Sequence, residues 1–398
     1  MAPIPRLRAF QGPALFSYGF RPFFLLGAIY AGGAVLLWLP VLYGQLSMTT
    51  ALAPRDWHAH EMLFGYAAAV MTGFLLTAVP NWTGRLPLQG RPLIALVLIW
   101  IAGRLAVTCS GVIGWLPAAA IDAAFLLTLA GVIAREVVAG RNWRNLKLVA
   151  MVSILAASNI AFHLEAFARG SAEYATRLAI GTLVLLLALV GGRIVPSFTR
   201  NWLARQRAGG LPAPFGHFDK ITIAASAAAL ATWIALPTAP ATGVLLGLAG
   251  ALQAARLARW AGYRSAGEPL VLILHVGYAF VPIGFLLQAA AAFDLVPATA
   301  GIHAWTAGAI GTMTLAVMTR ASLGHTGHDL AASAATQLIY ALVVVAALAR
   351  IAAALATAWA APLLELAALA WAGAFLGFAI SYGPLLWRRP RQPRQAVA

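Results

Sequence analysis

Eight histidines stand out in a 398-residue chain of which only 10% is charged and 62% is hydrophobic. Imidazole is the commonest protein ligand for metals. Two imidazoles at one depth on different helices can hold a haem iron from opposite faces. Four of the eight, His58, His60, His163 and His303, fall near the same end of the apolar segments that carry them. At a rise of ~1.5 Å per residue, His163 and His303 each lie ~10 Å below that surface, which makes them the candidate haem pair. His58 and His60 are ~200° apart around a regular helix, so they cannot share one metal unless their segment begins irregularly. Met62 follows His58 by four residues on the same face and offers a soft ligand for copper. His275 lies in a different layer, with Tyr278 about one turn on, and fits a second centre or a proton path. A single buried histidine in a helix bundle is more often a hydrogen-bonded structural residue than a ligand. The grouping therefore carries the reading, not any one ring. His217, His325 and His328 fall at the opposite boundary, where solvated histidines are ordinary.

Other chemistries are poorly supplied. Cys109 is the only cysteine, which excludes a disulfide framework, an iron–sulfur cluster and a dinuclear thiolate copper site. The 11 acidic residues are scarce and sit mostly at segment ends, so a carboxylate relay across the chain is not expected. No Gly-rich phosphate loop ending in Gly-Lys-Ser/Thr occurs.

The elements that position these histidines are apolar helices. A soluble domain carries about 25% charged residues, and a spanning helix needs roughly 20 apolar residues to cross ~30 Å of hydrocarbon. Hydropathy places spans near 22–43, 58–80, 92–112, 115–137, 146–168, 174–198, 218–236, 239–259, 269–292, 296–319, 332–358 and 362–387. The expected fold is an all-α polytopic membrane helix bundle of about twelve spans, one integral membrane domain over residues 1–398. The first apolar segment is too long for the core of a signal peptide and lacks a clear cleavage site, so it reads as a span. Sequence echoes at Val79-Pro80-Asn81-Trp82-Thr83, Val195-Pro196-Ser197-Phe198-Thr199-Arg200 and Val317-Met318-Thr319-Arg320 would suit three four-helix units, but the upstream register does not hold.

The formal net charge of +16 would suggest nucleic acid in a soluble protein. Here 21 of the 27 Arg and Lys residues fall in segments on one side, and only Arg55, Arg169 and Arg177 on the other. That asymmetry places both termini in the cytoplasm and makes nucleic acid an unsuitable partner. Three arginines remain inside spans, where each needs a partner. Arg104 and Asp122 are equally far from one hairpin turn and are expected to pair. Arg350 is expected to reach Glu365 less well. Arg193 has no neighbour of opposite charge in sequence and would face a cavity or an anionic cofactor group.

Several strings are long and compositionally unusual: Phe16 to Phe24 (FSYGFRPFF), Trp57 to Gly65 (WHAHEMLFG), Leu76 to Gly84 (LTAVPNWTG), Arg193 to Trp202 (RIVPSFTRNW), His275-Val276-Gly277-Tyr278, and His303 to His325. Together they resemble the NnrS family in the same order over most of the chain. The resemblance implies a bacterial inner-membrane protein that binds haem and copper and serves nitric oxide metabolism or defence against nitrosative stress, sometimes alongside denitrification. It also implies that His58, His60, His163, His275, His303 and His325 are family positions, without dividing them between iron and copper. His217 and His328 lie outside these motifs. Two other readings fit the span count: a twelve-span secondary transporter, and a distant relative of the haem–copper oxidase core reducing nitric oxide or oxygen. The first lacks a pair of broken helices. The second lacks a multi-histidine copper motif in one span.

Overall fold

The computed structural model describes residues 10–206 and 209–389, and among them the chain is wholly helical, with no strand. The long helices are α1 Phe20–Leu42, α2 Pro54–Thr83, α3 Arg91–Thr108, α4 Trp115–Ala139, α5 Leu146–Arg169 and α6 Glu173–Leu203. They continue with α7 His217–Ala235, α8 Pro240–Ala258, α9 Pro269–Ala292, α10 over 298–325, α11 Ala334–Leu355 and α12 Ala360–Trp387. Eleven of them, all but α10, are long and apolar enough to cross a membrane. Helix α10 has the length, but His303, Thr306, Thr312, Thr314 and Thr319 dilute its apolar character.

Local sequence explains the helix ends. Pro54, Pro92, Pro240 and Pro269 stand in the first turns of α2, α3, α8 and α9, where a missing N–H costs nothing. Gly84 and Gly170 terminate α2 and α5 in the left-handed conformation, at φ +69° and +74°. Helices α2 and α10 are not regular. Each contains a π-helical stretch, Glu61–Ala67 and Ala304–Gly311, and each stretch begins on the residue after a histidine, His60 and His303. Such wide turns are rare and concentrate at functional sites.

The chain forms two compact units. One comprises Met1–Thr176, Met318–Leu330 and Phe375–Ala398; the other comprises Arg177–Val317 and Ala331–Ala374. In the first, the N-terminal motif is a packing device. The buried Arg21 guanidinium donates through Nη1 to the carbonyls of Leu385, Leu386 and Arg388 at 3.3, 2.7 and 2.9 Å, satisfying the last orphan acceptors of α12. His325 lies edge-on to Tyr18, with Phe20 beside it at a ring separation of 5.4 Å.

In the second unit, Arg256 is fully buried. It donates to Asp219 Oδ1 at 2.8 Å, to the Ala188 carbonyl at 2.9 Å and to Tyr278 Oη at 3.0 Å. Tyr278 in turn donates to Gln253, whose amide donates to Ser226. Arg21 and Arg256, counted from sequence as inner-side charges, are therefore internal structural cations. Arg6, Arg8, Arg207, Arg391 and Arg394 lie outside the described residues. The expected Arg350–Glu365 pair does not form: Glu365 is exposed while Arg350 is half-buried, and no ion pair joins them.

Candidate metal centre

The most concentrated chemistry in the first unit is a buried network drawn from five helices. Helix α2 supplies His60 and Glu61, α3 Arg104, α4 Asp122, α5 Asn159 and His163, and α1 Tyr30. The π-helical stretch matters here. It begins at Glu61, so the regular turn ending at His60 gives way to a wider one, and two consecutive side chains both enter the network. Asn159 and His163 are four residues apart and share one face of α5 by ordinary helical spacing.

Asp122 is the hub. Its Oδ2 lies 3.0 Å from His60 Nε2, 3.0 Å from His163 Nε2 and 2.7 Å from the Asn159 amide nitrogen. Its Oδ1 accepts from Arg104 Nη2. Arg104 also donates through Nη1 to Glu61 Oε2 at 2.6 Å, and the Tyr30 hydroxyl donates to the same oxygen. The other Glu61 oxygen lies 2.9 Å from His60 Nδ1. His60 and Glu61 are wholly buried, and Arg104, Asp122, Asn159 and His163 nearly so. The Arg104–Asp122 pair expected from equal spacing about the hairpin is thus present, but as part of a larger assembly.

Two glycines make the geometry possible. A Cβ at Gly103 would lie 3.0 Å from Asp122 Oδ1 and 3.2 Å from its Cα, so glycine lets α3 and α4 approach there. A Cβ at Gly65 would lie 2.9 Å from the Tyr30 ring, 3.0 Å from Arg104 Nη1 and 3.0 Å from Glu61 Oε2.

Charge counting shows what the cluster can do. Two carboxylates face one guanidinium, leaving one negative charge inside a region of low dielectric, where an uncompensated charge is costly. A proton on His60, whose two ring nitrogens both face carboxylate oxygens, would neutralise it. A monovalent cation held by His60, His163 and Asp122 would do the same, and a divalent one would turn the net charge from −1 to +1. One ligand atom from each of those three lies within 4.8 Å of the others. The donor set also passes the chemical test for a divalent first-row metal, with two imidazole nitrogens and one carboxylate oxygen. Glu61 at His60 Nδ1 supplies the outer carboxylate that ordinarily orients a ligating histidine.

The remaining candidates are distributed otherwise. His58 does not join His60: its ring stacks on Trp38 at 4.1 Å between centroids. Met62 packs against the apolar cluster of Ala34, Trp38, Trp57 and Val107. His163 and His303, the pair matched by depth, belong to different units, and the ring sharing a carboxylate with His163 is His60. In the second unit, His303 Nδ1 lies 2.8 Å from the Thr299 carbonyl, which makes Nδ1 the donor and Nε2 the basic nitrogen. His275 Nε2 lies 2.8 Å from Thr199 Oγ1. Its buried Nδ1 has no hydrogen-bond partner and faces Gly262, where a Cβ would come within 2.4 Å. Arg193 is exposed on α6. Glu61, Tyr30 and Asn159 were not legible as site residues. The available signal was an acidic residue next to a histidine inside an apolar segment, where ionisable groups are rare.

Fold and site together define a polytopic membrane protein with a buried histidine–carboxylate centre. The profile of the NnrS protein family matches residues 14–391, and the chain belongs to that family. No curated protein and no solved structure matches it.

Proposed function

We propose that this chain is a metal-binding membrane protein of nitric oxide metabolism that holds copper at His60, Asp122 and His163 and haem through a histidine of the second unit. The observation that carries the reading is the convergence of His60 Nε2, His163 Nε2 and Asp122 Oδ2, with Glu61 aligned on the far nitrogen of His60. Family membership supports the link to nitric oxide. The two-nitrogen, one-oxygen set suits a divalent ion, and Met62, packed in an apolar cluster, is left out of it.

His60, His163 and Asp122 would hold the ion. Arg104 and Asn159 would keep Asp122 oriented, and Tyr30 would do the same for Glu61. When bound, copper would supply one-electron redox chemistry and haem an iron able to bind nitric oxide. The chain's own contribution is a buried, preformed cage whose single net negative charge favours a proton or a cation inside it. Nitric oxide is small, uncharged and lipid-soluble, so it needs no polar channel to reach such a depth. For haem, His303 is the suitable axial ligand because its bond to Thr299 leaves Nε2 basic, whereas His275 Nδ1, without a hydrogen-bond partner, is closed off by Gly262. An exposed Arg193 suits an anionic propionate. An inner-membrane location with cytoplasmic termini follows from the arginine asymmetry.

The test is to purify the protein in detergent from cells supplied with haem and copper, record the visible spectrum and measure metals. About one copper per chain and a Soret band that shifts on adding nitric oxide are expected. His60→Ala and His163→Ala should each abolish copper and spare the Soret band; His303→Ala should alter the band and spare copper. A wild-type preparation lacking both metals would refute the proposal.

A further inference from the structure

The first unit carries a second feature, remote in sequence from the histidine residues, that the metal centre does not use. A cavity of about 700 Å³ opens between the ends of α2 and α4 and the loop joining α2 to α3. Its apolar lining residues are Leu86, Pro92 and Val132, which reach the surface, and Leu76, Val79 and Ile133, which are almost wholly buried. Its mouth is charged. Arg85 Nε donates to Glu136 Oε2 at 2.5 Å, while Arg135 donates through Nε and Nη2 to Glu136 Oε1 at 3.1 and 2.9 Å. Glu136 thus holds two guanidiniums by their inner edges and directs the Arg85 terminal nitrogens away from itself. The trio keeps a net positive charge, and both arginine side chains reach solvent. Beside them, Gln89 Oε1 is buried with no hydrogen-bond partner. An acceptor in that state calls for a donor from whatever fills the space. Trp82 and Trp143, both exposed, flank the same ends of α2 and α5, as aromatic side chains do at a bilayer interface.

An apolar lining, two solvent-reaching guanidiniums gathered on one carboxylate and an unmet acceptor, all at one membrane boundary, match one class of ligand. We propose that this cavity binds a glycerophospholipid whose headgroup carries both a phosphate and a hydrogen-bond donor. The acyl chain lies along Leu86, Pro92 and Val132. The phosphate sits on Arg85 and Arg135, as basic pockets between membrane helices commonly arrange. The headgroup ammonium or hydroxyl donates to Gln89 Oε1. A phosphatidylcholine headgroup, with no N–H or O–H, would leave that oxygen unmet.

The test uses delipidated full-length protein in detergent, titrated with short-chain phosphatidylethanolamine, phosphatidylglycerol and phosphatidylcholine and with inorganic phosphate, read as thermal shift and by native mass spectrometry. Either of the first two lipids should bind about tenfold more tightly than phosphatidylcholine, the equivalent of one hydrogen bond. Inorganic phosphate should bind far more weakly than any of the three. Gln89→Leu should remove the preference and keep binding. Arg85→Gln/Arg135→Gln should remove binding, and Arg85→Lys/Arg135→Lys should restore part of it. Copper content reports whether each variant has folded. Equal binding of all three lipids, binding unchanged in the double glutamine variant, or inorganic phosphate binding as well as the lipids would overturn the proposal.

Discussion

Replacing Asp122 by Asn tests the centre most directly, because the substitution keeps the shape and removes only the charge. Asp122 faces four groups: it accepts from Arg104 on one oxygen and from the Asn159 amide on the other, and that second oxygen also lies against the Nε2 atoms of His60 and His163. An asparagine has one acceptor oxygen, so whichever side receives it, the other meets an NH₂ group pointed at donors. At least one charge-assisted bond is lost, worth roughly 1.5–3 kcal/mol. Arg104 also keeps only Glu61 as a counter-ion, and breaking a buried pair costs about 3–5 kcal/mol. Taking about 4 kcal/mol, and an unfolding entropy of roughly 2 cal/mol/K per residue over the chain, Tm should fall by about 5 °C. The assay is a thermal melt in detergent, with copper measured on the same sample. Copper should be lost together with the stability. The double variant Arg104→Gln/Asp122→Asn should cost less than the sum of the single changes by about 0.5–3 kcal/mol, since the partners are in contact. An unchanged Tm in Asp122→Asn would refute the network as a source of stability. A lowered Tm with full copper would refute Asp122 as a ligand.

Gly65→Ala should destabilise by about 1–3 kcal/mol, because its new methyl meets Tyr30, Arg104 and Glu61 at 2.9–3.0 Å; the melt and copper content check this together. Asp219→Asn should lower stability by about 3–5 kcal/mol by stranding the buried Arg256, while copper binding in the other unit persists. Arg21→Ala should leave the carbonyls of Leu385, Leu386 and Arg388 without their donor and speed tryptic cleavage after Arg388, followed as a time course by intact mass. His58→Ala should leave copper unchanged and lose the stacking on Trp38, worth about 1 kcal/mol.

Much of this architecture was legible in the residues. Scarcity of charge and runs of about twenty apolar residues allow only lipid-facing helices, because buried backbone groups must find partners within each segment. Equal spacing about a hairpin was enough to pair Arg104 with Asp122, since helix rise is constant and depth follows from counting. Depth, however, is one coordinate of three. It could not tell that His163 would share a carboxylate with His60, nor that no ion pair would join Glu365 to Arg350, because rotation about each helix axis and the choice of neighbouring helices depend on packing across the whole bundle.

The start of α2 illustrates the division. The helix is regular through His60, so His58 and His60 leave on nearly opposite faces, as their spacing requires, and His58 stacks on Trp38. Glu61, the first residue of the π-helical stretch, joins His60 in one network. From the residue types alone one can say that imidazoles lie inside a membrane bundle and that Arg104 needs an anion. Which imidazoles converge, and that Asp122, Glu61, Tyr30 and Asn159 join them, was decided only when five helices closed around a charge that none of them could bury alone.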